Sequence, residues 1–206
     1  MAGPSPLGIV LAGGAGRRLG GAKAKAQLCG RPLISYPLRA LEAVLGEAMV
    51  VAKADTELPD LGTGRVWIER EHGRHPLVGL IEALARAGGR DVVVCAVDLP
   101  LVTPALVASL AFHPAQRATA VLASHRGETQ PLLARYGAHA LAPLQAADPG
   151  IPLREAVQAL SPTLFEVGDP VELFNVNTPA DLERAAELLC GPRVSPRSPT
   201  SSSAAG

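Results

Sequence analysis

A glycine-rich run, Gly13-Gly14-Ala15-Gly16-Arg17-Arg18-Leu19-Gly20-Gly21, sets two guanidiniums in backbone that can approach a phosphate closely. It follows the apolar segment 7–12 (LGIVLA), and Lys23 and Lys25 come directly after it. Such a loop suits anions. It is not a P-loop, since no G-x-x-x-x-G-K-[ST] spacing is present and Lys23 is followed by Ala24. Nor do Gly14, Gly16 and Gly20 fall at the dinucleotide spacing G-x-G-x-x-G. Further along, Asp98 follows the apolar run VVVCAV immediately, which puts a carboxylate where a buried strand emerges. Magnesium takes one or two carboxylates plus phosphate oxygens and waters, so one Asp suffices when a nucleotide supplies the rest. Taken alone, Asp98 also reads as a turn or capping residue. Asn175 and Asn177 stand two apart and share one face of an extended segment; Asn177 also reads as the organiser of the turn before a helix. The five histidines lack zinc-ligand spacing, and no Ser/His/Asp arrangement can be argued.

Positioning these groups requires strands that end at a common edge. Segment 7–12 reads as a strand ended by glycines, and 33–44 carries apolar residues at helical spacing with Pro37 tolerated in the first turn. Strands follow at 48–52, 66–68 and 92–97, with a helix at 77–87 between the last two. Thr103-Pro104 reads as N-cap and first position of a helix to Ala111. The alternation predicts an α/β domain with a mostly parallel, Rossmann-like sheet in three layers. Strands at 118–123, 130–135 and 164–167 and helices at 138–147 and 153–160 are expected next. Thr178-Pro179-Ala180-Asp181 supplies a cap, a first-position proline and an early acid for a last helix to Leu189. One domain is expected over 1–190, with a disordered Pro/Ser-rich tail over 191–206.

Composition narrows the partners. Nineteen basic and nineteen acidic residues give zero formal charge, which supplies no long-range pull toward nucleic acid or an anionic membrane. No apolar stretch approaches the ~20 residues of a membrane span, and the first residues lack a basic export signal. Cys29, Cys95 and Cys190 are odd in number and far apart, without disulfide-framework or zinc spacing, so a reducing cytoplasm is the expected home. Aromatics are 3% of a chain that is 48% hydrophobic, so the core must be built from Ala, Val, Leu and Ile.

LAGGAGRRLGG, then Lys23 and Gly30-Arg31-Pro32-Leu33, resembles the signature of the molybdenum cofactor guanylyltransferases, the MobA-like nucleotidyltransferases. The resemblance runs over about residues 7 to 189 and implies the fold of nucleotide-diphospho-sugar transferases. It implies that Leu11, Ala12, Gly13 and Gly14 lie along base and ribose, with Arg17 near the phosphates and Lys23 on the α- or β-phosphate. Counting back from Gly30 without a gap puts Lys23, not Lys25, on the family lysine, although Ala22 stands where the family commonly has Asp. Asp98-Leu99-Pro100 is similar to the family's D-x-P magnesium site, and Phe174-Asn175-Val176-Asn177-Thr178-Pro179 to its N-x-N-T-P element. Asn175 is then expected on the metal side and Asn177 on the acceptor side with Gln130. Glu69 and Lys53 fall near nucleotide-binding positions, although Lys53 taken alone reads as a surface lysine, and His75 replaces a glycine of the family's G-P-L-A-G. The implied reaction is in-line attack by an acceptor phosphate oxygen on the α-phosphorus of GTP, releasing pyrophosphate, with Mg2+ as cofactor. The acceptor would be molybdenum-bound pterin phosphate, or else another small phosphorylated compound or a reaction with CTP. A nucleotide-binding protein without transferase activity is the reading that Ala22 favours. Transient contact with other proteins of cofactor biosynthesis is also implied.

Overall fold

The computed structural model describes residues 4–13, 22–62, 64–69, 75–115, 118–148 and 150–191. Gly14, Arg17 and the tail 192–206 lie outside these residues.

Three apolar runs become strands buried along their whole length: β1 (Leu7–Leu11), β4 (Ala48–Ala52) and β6 (Val92–Ala96). Their residues alternate between two cores. Val10, Val50 and Val93 face one side, while Ile9, Val51 and Val94 face the other. Strands sandwiched in this way need no polar face, which is why the sequence shows unbroken apolar runs instead of alternation. Gly8 is required by packing: a Cβ there would sit 3.0 Å from Leu41 Cβ and from the Glu47 carbonyl. Helix α1 (Ser35–Leu45) thereby lies directly on β1.

With β5 (Val66–Ile68), β7 (Ala120–His125), β8 (Glu128–Tyr136) and β9 (Thr163–Glu166), these strands form a seven-stranded sheet in the order β5-β4-β1-β6-β8-β7-β9. Only β8 runs antiparallel to its neighbours. α1 and α3 (Pro104–Ala111) cover one face. α2 (Pro76–Arg86), α4 (Leu141–Ala146) and α5 (Leu153–Gln158) cover the other, so the expected three layers are present. β1 pairs with both β4 and β6. The chain leaves β1 toward β4 and β5, then returns across it to β6, so the strand order reverses between β1 and β6. Open α/β sheets bind ligands at the carboxyl ends of the strands flanking such a reversal.

Sequence patterning gave no sign of the two-stranded hairpin β2 (Gln27–Leu28) and β3 (Arg31–Pro32). It packs on the last helix, α6 (Pro179–Cys190), around Leu28, Leu33, Val176 and Ala185. Two-residue strands are too short to show a period. The hairpin also overturns the cysteine expectation, because Cys29 in its turn is disulfide-bonded to Cys190, 161 residues away. Cysteine spacing along a chain says nothing of distance across a fold, and here the first hairpin and the last helix are neighbours. Cys95 is a free, buried thiol of β6, and burial pushes its pKa up. No described helix is long and apolar enough to cross a membrane.

Candidate active site

Lys23 opens a short 3-10 turn, Lys23–Lys25, that follows the glycine-rich loop. Its ammonium donates to Asp98 Oδ2 at 2.9 Å and to Asn177 Oδ1 at 2.7 Å. Three segments far apart in the chain therefore meet at one cation. Asp98 stands two residues past β6, at the carboxyl edge beside the strand-order reversal. Asn177 reaches the same point because the Val176 N–H donates to the Asp98 carbonyl at 2.9 Å, pinning the extended segment to the strand end. Val176 is fully buried in the hairpin cluster, which keeps that segment in register.

The turn after Asn177 is held by a capping box. Thr178 caps α6 by accepting from the Asp181 N–H at 3.1 Å, while Asp181 Oδ2 accepts from the N–H groups of Asn177 and Thr178 at 2.9 and 2.8 Å. This reciprocal capping box satisfies helix-start donors and fixes the Asn177 backbone. The bonds from Asn177 and Thr178, with the nearby Lys23 charge, hold the Asp181 carboxyl below its ordinary pKa.

Asp98 Oδ1 is buried and finds no hydrogen-bond partner among the described residues. An orphaned carboxylate oxygen is costly unless something positive completes it. The chemistry of that oxygen suits a divalent cation, with nucleotide oxygens as its further ligands. Asn175 donates its amide N–H to the Leu173 carbonyl at 3.1 Å, leaving its amide oxygen as the other polar arm. Among the described residues no three His, Cys, Asp or Glu side chains gather as a metal cage, so any ion here would rest on few protein ligands.

Lys25 is brought elsewhere, to an exposed ion pair with Glu57 at 3.1 Å. Lys53 and Glu69 follow β4 and β5 and pair at 3.2 Å; the Glu69 side chain is only 5% exposed. Burial raises the Glu69 pKa, and the Lys53 ammonium opposes that rise. Gly13 lies alongside, where a Cβ would be 3.5 Å from Glu69 Oε1. Gly79 in α2 is tighter still: a Cβ would come within 2.9 Å of the same oxygen. His75, the departure from the family's glycine, caps α2 by accepting from the Leu77 N–H through Nδ1 at 3.3 Å. Leu11 and Ala12 are buried at the end of β1. Gln130 lies near the start of the antiparallel β8, hence at the same sheet edge, and pairs with Ala123 beside an irregularity in register.

Two residues that the sequence left unassigned now have a place at the site: Asp181, which sets the Asn177 turn, and Val176, whose N–H binds the Asp98 carbonyl. The capping-box spacing at Thr178 and Asp181 was a visible signal for the first. Nothing local signals the second.

Residues 8–163 match the family model described as the MobA-like NTP transferase domain. The chain belongs to this family. A MobA-like NTP transferase transfers nucleotidyl groups, so the protein is a nucleotidyltransferase. A probable molybdenum cofactor guanylyltransferase from Chloroflexus aggregans is 35% identical over 196 residues, covering 88% of this chain and 94% of the relative. The molybdenum cofactor guanylyltransferase of Cereibacter sphaeroides is 34% identical, with coverage of 89% and 96%. Among solved structures, the molybdopterin-guanine dinucleotide biosynthesis protein A of Archaeoglobus fulgidus superposes with a TM-score of 0.75 at 28% identity, covering 88% of this chain and 97% of that one. The 2-C-methyl-D-erythritol 4-phosphate cytidylyltransferase of Thermus thermophilus shares the fold, with a TM-score of 0.64 at 22% identity and coverage of 87% and 96%.

Proposed function

We propose that this MobA-like enzyme transfers GMP from GTP to the phosphate of a molybdopterin-type acceptor, releasing pyrophosphate, with Mg2+ held at Asp98. The observation that carries the reading is the convergence of Lys23, Asp98 and Asn177 at the sheet edge, beside a carboxylate oxygen without a partner among the described residues.

Phosphoryl chemistry asks the protein for position and charge more than for a covalent nucleophile. The Lys23 ammonium is already aimed by two oxygen acceptors, so it moves little to meet an α- or β-phosphate oxygen. Transfer of its bond from Asp98 to the nucleotide frees Asp98 Oδ2 beside the orphaned Oδ1. Asp98, with the amide oxygen of Asn175, is the donor set for magnesium, which would supply charge neutralisation on the triphosphate when bound. Gly13 lets the base and ribose approach the backbone after Leu11 and Ala12, with the Lys53–Glu69 pair beside it, and Gly14 joins it by the family resemblance. Arg17 adds positive charge for the leaving pyrophosphate, and Gln130 with Asn177 faces the acceptor. The acceptor oxygen forms a bond to the α-phosphorus as the bond to pyrophosphate breaks. The attacking phosphate is already ionised near neutral pH, so no side chain need remove a proton. We place this reaction in the cytoplasm, with access to the GTP pool.

The test is pyrophosphate release from GTP, CTP, ATP and UTP in turn, with magnesium, and with molybdopterin present or omitted. Acceptor-dependent release from GTP alone supports the proposal. Release from CTP alone would reassign the base. Tight GTP binding without release under any condition would make the chain a nucleotide-binding protein.

A further inference from the structure

The disulfide and the Lys23 site are two ends of one closed loop of contacts. Lys23 begins the 3-10 turn, and that turn is tied into the hairpin by the Ile34 N–H donating to the Ala24 carbonyl and the Leu33 N–H to the Ala26 carbonyl, at 3.3 and 2.8 Å. The hairpin turn carries Cys29, bonded to Cys190 at the last position of α6. α6 begins just after Asn177, whose amide oxygen accepts from Lys23. Hairpin and helix are thus clamped at the far end by sulfur and at the near end by the Lys23–Asn177 hydrogen bond. Between the clamps, among the described residues, lies the small cluster of Leu28, Leu33, Val176 and Ala185 with its partly buried neighbours.

A cleft of about 390 Å3 opens on the sulfur end, bordered by Cys29, Gln27, Leu182, Glu183 and Ala186. We propose that Cys29–Cys190 is a thiol–disulfide exchange site, reached through this cleft by a small uncharged dithiol, and that its state sets the grip of Lys23 on nucleotide. The coupling half rests on the reading of Lys23 as the phosphate lysine; the exchange chemistry does not.

The cleft suits such a reagent. It exposes apolar wall from Leu182 and Ala186, while Glu183 and Glu187 disfavour an anionic thiol. One thiolate of the dithiol attacks Cys29 Sγ, the S–S bond breaks, and Cys190 leaves as a thiolate that takes a proton. The second thiolate of the dithiol then attacks the mixed disulfide and releases Cys29, which is protonated in turn. Two electrons and two protons pass to the protein, and the reagent departs as a cyclic disulfide. The reverse reaction needs a small-molecule disulfide as oxidant. In the bonded chain Cys29 Sγ lies 3.9 Å from the Ala186 carbonyl, an acceptor in α6 for the thiol that reduction creates. The far clamp is then open, and the hairpin side of the pair, which carries Lys23, rests on the Leu28, Leu33, Val176 and Ala185 cluster and on the bond to the fixed Asn177.

The experiment uses the full chain, oxidised with 2-hydroxyethyl disulfide or reduced with dithiothreitol. Thiols are counted by alkylation and mass spectrometry, and GTP affinity is measured by calorimetry. Cys29 and Cys190 should be protected in the oxidised form and alkylated after reduction, with buried Cys95 unreactive in both. The Kd for GTP should rise about five-fold on reduction, at the lower end of coupling between sites. Cys190→Ser should show the weaker affinity and ignore dithiothreitol. Alkylation of both cysteines after oxidation would overturn the exchange site. Equal GTP affinity in the two forms would overturn the coupling. GTP binding by neither form would instead sink the nucleotide reading and the coupling with it, while the alkylation pattern still decides the exchange chemistry.

Discussion

Lys23 and Lys25 carry the same charge two positions apart, yet only one of them is built into the fold. Lys23 meets Asp98 and Asn177 with its side chain 12% exposed, while Lys25 pairs with Glu57 at the surface. An exposed pair contributes about 0–1 kcal/mol, so Lys25→Ala should leave pyrophosphate release within about twofold. Lys23→Ala removes a donor preorganised for developing phosphate charge and should cost about 10²–10³ in kcat/KM. A steady-state comparison of the two variants decides between them, and the reverse order would reassign the phosphate lysine. Asp98→Ala should abolish magnesium-dependent turnover with the far-UV circular dichroism unchanged; full activity would remove Asp98 from the metal site. Glu69 makes a pH prediction. Its folded pKa is raised by burial, so the folded chain holds this proton more tightly than the unfolded chain does. The stability that its protonated form contributes is present below the ordinary value of 4.5 and is lost as pH rises through the raised value. The stability difference between wild type and Glu69→Gln should therefore move in favour of the variant across that window, as read by denaturant titration at stepped pH.

At the scale of elements, two helix starts matter to the site. α6 is capped by Thr178 and Asp181, and the same bonds fix the Asn177 backbone. Thr178→Ala should cost about 1 kcal/mol of stability and also lower kcat/KM, because Asn177 would no longer hold its angle to Lys23. A variant with the stability loss but wild-type kinetics would separate the cap from the site. α2 contributes through an absence: Gly79 has no Cβ where one would press on Glu69 Oε1. Gly79→Ala should displace the Glu69 carboxylate and weaken GTP binding more than it lowers Tm, a contrast that calorimetry and thermal melts resolve together. The start of α6 was legible beforehand, since Thr-Pro-x-Asp spacing carries its own mechanism, whereas the His75 cap of α2 came only with the structure. The β2–β3 hairpin was not legible, because its strands are two residues each and its stability comes from α6, far away in sequence.

For the molecule as a whole, a cross-link between Cys29 and Cys190 joins residues 161 positions apart. Removing a native cross-link typically costs about 2–5 kcal/mol of unfolding free energy. Denaturant unfolding with and without dithiothreitol should show a loss of that order, and coincident curves would mean that the bond contributes nothing to stability. Much of the architecture was already written in one dimension. Uninterrupted apolar runs at β1, β4 and β6 alternating with helices require a mostly parallel sheet with helices on both faces, because only burial on both sides tolerates strands without a polar face. The glycine-rich loop and the strand-end carboxylate likewise belong to sequence, since each depends on residue type at a local position. That Lys23, which the family spacing already favoured, meets Asp98, that Asn177 rather than Asn175 meets that lysine, and that two cysteines separated by most of the chain are joined were decided only by the tertiary structure. These are contacts between segments distant along the chain, and periodicity along the chain carries no information about distances across the fold.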